Sequence, residues 1–94
     1  MSWINLGEVY CTIHRAAGAA EAESTLTLLR PLLTLDSVTP DRVLAAARIK
    51  AIHPLACGDA FAVATAAAHK AILLTGDPEI TGRSVGCRVM DLRR

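Results

Sequence analysis

The sequence predicts an α/β domain in which a mainly parallel sheet is flanked by helices. An apolar run at 71–74 predicts a buried strand, and the glycine and proline of Thr75-Gly76-Asp77-Pro78 end it. Two further short strands are predicted at 32–36 and 87–92. Two helices precede the first of these strands, and two more lie between it and the strand at 71–74. Strands that alternate with helices favour parallel pairing with helices on the sheet faces.

The first two helices are predicted from their caps and their apolar spacing. Ser2 is a suitable cap for a helix that ends near Ala17-Gly18, and a second helix is predicted at 19–30 because Pro31 cannot continue it. Apolar residues at helical spacing define one face of each helix: Leu6, Val9, Tyr10 and Ile13 in the first, and Ala22, Leu26 and Leu29 in the second.

Two more helices are predicted in the middle of the chain. The third begins at Thr39-Pro40, a hydroxyl cap followed by proline at the first helical position, and ends at His53-Pro54. The fourth covers 56–65, and a glycine-containing loop is predicted at 80–86. The predicted buried side of the third helix consists of Val43, Leu44, Ala47 and Ala51.

Composition limits the classes of protein that this chain can belong to. Ninety-four residues make one small domain, and 52% hydrophobic residues suffice for a packed core. A formal net charge of +1 provides no global field that would attract nucleic acid. The three cysteines are too far apart to predict a disulfide framework or a zinc site. With no signal peptide and no membrane span, the expected location is the cytoplasm.

Two carboxylates are predicted to converge at one edge of the sheet. Asp59 lies in the first turn of the fourth helix, and Asp77 follows the strand at 71–74. If this helix packs antiparallel to the strand, both acids lie at the edge where open α/β sheets place their chemistry. This arrangement suggests a divalent-metal site. Each acid also has an ordinary alternative role: Asp59 as a first-turn acid favoured by the helix dipole, and Asp77 as a turn former.

Four segments of the chain resemble the successive motifs of PIN-domain ribonucleases, and the resemblance is closest to the VapC toxins of bacterial toxin–antitoxin pairs. The motifs occur in family order and span nearly the whole chain. They lie at 4–10, 45–51, 58–66 and 74–79.

The resemblance implies a Mg²⁺- or Mn²⁺-dependent endoribonuclease that a VapB antitoxin inhibits. Glu8 matches the second acid of the family, Asp59 the third and Asp77 the fourth, and Thr75 matches the hydroxyl residue that supports the fourth acid. Carboxylates suit this chemistry because Mg²⁺ prefers oxygen ligands. The family also implies an RNA substrate and a homodimer.

The opening strand of the family and its first acid, in a pattern like Asp-Thr-Ser, have no counterpart here. Residues 1–94 are therefore expected to form a partial PIN domain, the carboxyl-terminal two-thirds of the family fold, with weak or no catalysis. The alternative from another class is a noncatalytic PIN remnant that binds an antitoxin. A third possibility is an unrelated small helical domain with chance matches to the motifs.

Basic residues are the candidates for contact with RNA. Arg15 and Arg48 are the two named as possible RNA contacts, since a guanidinium can bind a phosphate oxygen. Single basic residues on helices are more often simply solvated.

Overall fold

The computed structural model describes residues 1–82 and 84–92. The chain divides into two compact units, Met1–Val38 and Thr39–Arg94, which we call the amino-terminal unit and the carboxy-terminal unit. Each is described by itself below.

The amino-terminal unit is a pair of helices, α1 (Trp3–Ala17) and α2 (Ala19–Leu29). The hydroxyl of Ser2 caps α1 by accepting a hydrogen bond from the backbone N–H of Ile4, at 3.2 Å. Gly18 joins the helices with φ 93° and ψ 173°, a conformation that is essentially restricted to glycine. Leu6 and Ala22 are buried, and the other apolar residues predicted for the two faces are half-buried, so both predicted faces are confirmed.

The predicted strand at 32–36 is wrong. Arg30–Leu32 forms a 3-10 turn after α2, and a single parallel bridge joins Ser2 to Asp36. Three backbone hydrogen bonds surround this bridge, from Met1 to Thr34, from Asp36 to Met1 and from Trp3 to Asp36. The pairing stops there because Trp3 begins α1, and a ladder lengthens only while both segments stay extended.

The carboxy-terminal unit begins with α3 (Pro40–Ile52), which packs against α4 (Cys57–Ala68). The Thr39 hydroxyl accepts a hydrogen bond from the N–H of Arg42 at 3.2 Å, so the predicted cap of α3 is present.

The predicted buried side of α3 is wrong. Ala46 is buried and Ile49 packs on the core, whereas Val43 and Leu44 are 42% and 51% exposed and Ala47 and Ala51 are exposed as well. Apolar residues occur on more than one face of this helix, and packing against α4 selects the face that contains Ala46 and Ile49.

The described strands form a two-stranded parallel sheet of β1 (Ile72–Thr75) and β2 (Arg88–Asp91). Leu73 pairs with Val89 and Thr75 with Asp91. This parallel sheet with its helices confirms the predicted α/β class. A short helix, α5 (Pro78–Thr81), lies between the strands, where the sequence predicted a loop at 80–86.

Strand β1 is not buried on both faces, contrary to the prediction. Ile72 and Leu74 are 45% and 57% exposed, whereas Leu73 between them packs on the core. Alternate side chains of a strand point to opposite faces, and only the face with Leu73 and Val89 is covered here.

The core of the carboxy-terminal unit lies where its helices meet the covered face of the sheet. Its buried residues come from loops and from two helices: Leu55, Val63, Ile80 and Val85. Ile80 is the member from α5, so that short helix is held to the unit by a side chain that is only 2% exposed.

No single helix among the described residues is long and apolar enough to cross a membrane. Helices α3 and α4 have the length and apolar composition of a membrane span only when they are taken together, and the chain bends by 116° between them.

Candidate metal centre

Asp59 lies in the first turn of α4, after Ala56 and Cys57 at the start of that helix. Ala56 has no side chain that could cap the helix, so the free N–H groups of the first turn favour a nearby carboxylate. Asp59 is half-buried, and both of its neighbours, Gly58 and Ala60, are buried. The position of this carboxylate is therefore set by a well-packed helix.

Asp77 lies in the short connection between β1 and α5, and two local hydrogen bonds hold it. Its backbone N–H donates to the hydroxyl of Thr75 at 3.1 Å, and its Oδ1 accepts from the N–H of Glu79 at 2.9 Å. Pro78 occupies the first position of α5, where its missing N–H costs nothing. Asp77 is thus the cap of α5, and Thr75 fixes its backbone.

The carboxylates of Asp59, Asp77 and Glu79 come together at this edge of the sheet. One oxygen from each lies within 4.8 Å of the others. Oxygens bound to one Mg²⁺ at about 2.1 Å are about 3.0 Å apart at adjacent positions and about 4.2 Å apart at opposite positions. The upper limit of 4.8 Å on the separations between the three oxygens is therefore close to the separation of two oxygens that share one Mg²⁺ ion.

Glu79 is a member of this cluster that the sequence interpretation missed. The signal was present in Asp77-Pro78, a capping residue followed by a proline, which is a typical helix start. A helical turn beginning at Pro78 places Glu79 next to its cap, whereas the loop predicted from 80 onward gave Glu79 no defined position.

Glu8, the remaining predicted acid, lies in the amino-terminal unit. It is exposed on α1, and its Oε1 accepts a hydrogen bond from the side-chain amide of Asn5 at 3.0 Å. Among the described residues, the acid cluster is drawn from the carboxy-terminal unit alone.

The basic residues predicted to contact RNA are both exposed. Arg15 lies in the last turn of α1, and Arg48 lies on α3. They therefore belong to different units.

The cysteines do not contribute to the cluster found in the described part of the chain. All three are free thiols, and Cys11 and Cys57 are exposed. Burial raises the pKa of the Cys87 thiol, because a thiolate is poorly solvated against the core. The three members of the cluster all offer carboxylate oxygens, so the chemistry of this site is that of oxygen donors.

Comparison with known proteins found one family. The family described as PIN domain matches residues 1–83 of the chain. No curated protein and no solved structure matches the chain.

Proposed function

The chain belongs to the PIN-domain family, and on this premise we propose that it is a divalent-metal-dependent endoribonuclease of the VapC type. In this proposal it cleaves RNA phosphodiester bonds and is the toxin of a toxin–antitoxin pair. The observation that supports the proposal best is the approach of the Asp59 and Asp77 carboxylates at the carboxyl end of β1. A PIN domain implies a nuclease-type fold, and such folds generally depend on a divalent metal.

The donor atoms of this cluster fit the metal that the family implies. Carboxylate oxygens are hard ligands suited to Mg²⁺ or Mn²⁺, and a few of them suffice because Mg²⁺ keeps several waters. We propose Glu8, Asp59 and Asp77 as metal ligands, with Thr75 positioning Asp77 through the 3.1 Å hydrogen bond. The bound cation would offset charge on the scissile phosphate and activate a water molecule.

In the proposed mechanism the protein positions the phosphodiester rather than reacting with it covalently. The half-buried carboxylates of Asp59 and Asp77 would hold the cation through their negative charge. Arg15 and Arg48 would contact phosphates of the RNA, which places the strand without reading its bases. With a net charge of only +1, the affinity for RNA depends on such local contacts.

The same proposal assigns the first two helices to protein partners. We propose that α1 and α2 contact a VapB-like antitoxin and a second copy of the chain. Apolar side chains exposed in this unit support the assignment: Leu28 is 68% exposed and Leu32 is 77% exposed. Trp3 and Arg30 are exposed in the same unit, with the guanidinium 5.3 Å from the ring centre, and both residue types are enriched at protein interfaces.

Cleavage of a structured RNA by the purified chain with Mg²⁺ or Mn²⁺ tests the catalytic proposal. We expect weak cleavage that EDTA and Asp77→Asn both abolish, because three of the four acids that the family resemblance implies are present. Asp41→Asn is the matched control, since Asp41 is an aspartate near the start of a helix in the same unit, in the first turn of α3, but lies outside the cluster. This control should cleave at the wild-type rate.

Cleavage that persists in Asp77→Asn would show that a different site, or a contaminating nuclease, is responsible. Absence of cleavage together with antitoxin binding that survives Asp59→Asn plus Asp77→Asn would instead favour a noncatalytic binding protein. The two outcomes separate the catalytic proposal from its alternative.

A further inference from the structure

We propose that two copies of this chain associate by pairing their β1 strands edge to edge, antiparallel, about a two-fold axis at Leu73. The sheet of the described residues has two strands, so one edge of β1 faces no strand there, and we call it the open edge. The N–H and C=O groups of such an edge can pair with another chain. This contact needs no metal and goes beyond the proposed function, which places a second copy on α1 and α2 of the other unit.

The hydrogen bonds of the sheet identify the backbone groups at the open edge. The carbonyl of Thr75 accepts a hydrogen bond from the N–H of Leu92 at 3.0 Å, so Thr75 faces β2. In a strand the N–H and C=O of one residue point to one edge, and those of the next residue point to the opposite edge. Leu73 therefore also faces β2, whereas Ile72 and Leu74 face the open edge. In the part of the chain that the structure describes, neither of these two forms a backbone hydrogen bond outside the sheet.

The open edge is complementary to a second copy of itself. With the two-fold axis at Leu73, Ile72 lies directly opposite Leu74 of the second copy, and Leu74 lies opposite its Ile72. Opposite residues whose N–H and C=O groups point at each other exchange both hydrogen bonds, so these two pairs use every such group of the two edges. Their side chains lie on the same face of the sheet and pack against each other as apolar cross-strand pairs.

The charges of the two strands favour β1 over β2 as the paired edge. Strand β1 has no charged residue, so two copies of it meet without like-charge repulsion. Strand β2 begins with Arg88 and ends with Asp91, and charged side chains protect sheet edges from pairing. The exposed apolar side chains of Ile72, Leu74 and Met90 lie on the uncovered face, and pairing through β1 brings the two copies of this face side by side.

The size of the contact predicts a weak and reversible dimer. Strands of four residues bury less than the roughly 1,200 Å² of total surface that stable protein interfaces bury. The paired sheet has four strands instead of two, and sheets of three or more strands are the more stable ones. We therefore expect association at micromolar to millimolar concentrations of the chain.

Sedimentation velocity of the full chain over this concentration range tests the association. EDTA excludes bridging by metal ions, and a reductant excludes disulfides between copies, because the three cysteines are free. The wild type should change from monomer to dimer as its concentration rises. Leu74→Pro should weaken dimerisation by at least about tenfold, because it removes an N–H donor at the open edge of both copies and leaves the acceptors unpaired.

The proline variant leaves the hydrogen bonds to β2 in place, because the N–H of Leu74 does not take part in them, and edge strands tolerate proline. Leu74→Lys is a second variant that places a charge among the apolar pairs and should also weaken the dimer. Leu28→Lys is the matched control, since Leu28 is a 68% exposed leucine of the amino-terminal unit, and it should retain the association through β1. Circular dichroism like that of the wild type shows that each variant is folded.

Amide hydrogen exchange of the wild type, followed by NMR at low and high concentration, locates the contact. The N–H groups of Ile72 and Leu74 should exchange more slowly at high concentration, whereas those of Leu73 and Thr75 already face β2 and are the internal control. A wild type that stays monomeric, or exchange at Ile72 and Leu74 that does not depend on concentration, would overturn the inference. A dimer that Leu28→Lys abolishes and both Leu74 variants retain would overturn it as well and would support the contact at α1 and α2.

Discussion

At the scale of single residues, the hydroxyl of Thr65 is unusual among the buried polar groups that the structure describes, because it forms no hydrogen bond. Its hydroxyl oxygen is buried in α4, and it is the one buried side-chain polar atom that the described residues leave without a hydrogen-bond partner. A buried hydroxyl that forms no hydrogen bond loses its solvation without compensation, at a cost of about 1–3 kcal/mol. Thr65→Val keeps the shape of the side chain and removes this cost.

We therefore expect Thr65→Val to increase the free energy of unfolding by about 1 kcal/mol in urea denaturation. Thr12→Val is the matched control. The Thr12 hydroxyl donates to the backbone carbonyl of Glu8 at 2.9 Å on the exposed side of α1, so its loss should leave stability unchanged or slightly reduced. A loss of stability in Thr65→Val would mean that this hydroxyl is satisfied in solution.

At the scale of the element, α4 ends in a motif that normally requires glycine. The N–H of Ala71 donates to the carbonyl of Ala66, and the N–H of Lys70 donates to the carbonyl of Ala67. These two bonds define a Schellman motif with Lys70 at the position that follows the cap. Lys70 has φ 51°, in the left-handed region, where a side chain costs about 1–2 kcal/mol.

Lys70→Gly should therefore stabilise the protein by roughly 0.5–1 kcal/mol, once the greater entropy of glycine in the unfolded chain is subtracted. Lys70→Ala removes the same charge but keeps the strained φ, so it should bring no gain. Chemical denaturation of the two variants against wild type measures both effects. Equal stability of the glycine and alanine variants would exclude backbone strain at this cap.

Helix α5 depends both on a local sequence signal at its start and on packing against the rest of its unit. Asp77 and Pro78 specify where the helix begins, but four residues of helix are too short to be stable alone. The helix exists because Ile80 is buried against Leu55, Val63 and Val85. The positions of Asp77 and Glu79 therefore depend on the packing of the neighbouring Ile80. The sequence motif around the two acids does not predict that packing.

At the scale of the whole molecule, one hydrogen bond ties the two long helices of the amino-terminal unit together. The phenol of Tyr10 on α1 donates to Oε1 of Glu23 on α2 at 2.7 Å. The bond raises the pKa of Tyr10 above 10.0, because it stabilises the protonated phenol, with smaller contributions from burial and from the charge of Glu23. Its folded-state pKa thus exceeds the unfolded value.

The sign of this shift sets the pH dependence of stability. Tyr10 contributes stability fully below about pH 10, the pKa of an unfolded tyrosine, and the contribution is lost as the pH rises through the folded-state pKa. We expect the melting temperature of the wild type to exceed that of Tyr10→Phe at neutral pH, with the difference disappearing in strong base. Measurements need a reductant, because the three cysteines are free.

Tyr10 is the only tyrosine of the chain, so its phenolate absorbance reports the titration directly. The midpoint in the folded protein should lie above the midpoint in urea. Equal midpoints would show that the bond to Glu23 does not persist in solution.

The sequence by itself determined the elements whose signals are local. Ser2 and Thr39 specify where α1 and α3 begin, and Gly18 specifies where α1 ends, because a cap acts within one turn of its own residue. The parallel α/β class and the nearness of Asp59 to Asp77 were also predicted from the order of helices and strands. Such order limits where the ends of elements can lie.

Only the tertiary structure decided which of several apolar faces is buried and which segments find partners. The segment at 32–36 has strand character but forms one bridge, because pairing depends on a second extended segment elsewhere in the chain. Helix α3 buries Ala46 rather than Val43, because contact with α4 selects the face. Glu79 joined the acid cluster for the same reason: its place depends on where Ile80 packs, and burial is a property of the folded chain as a whole.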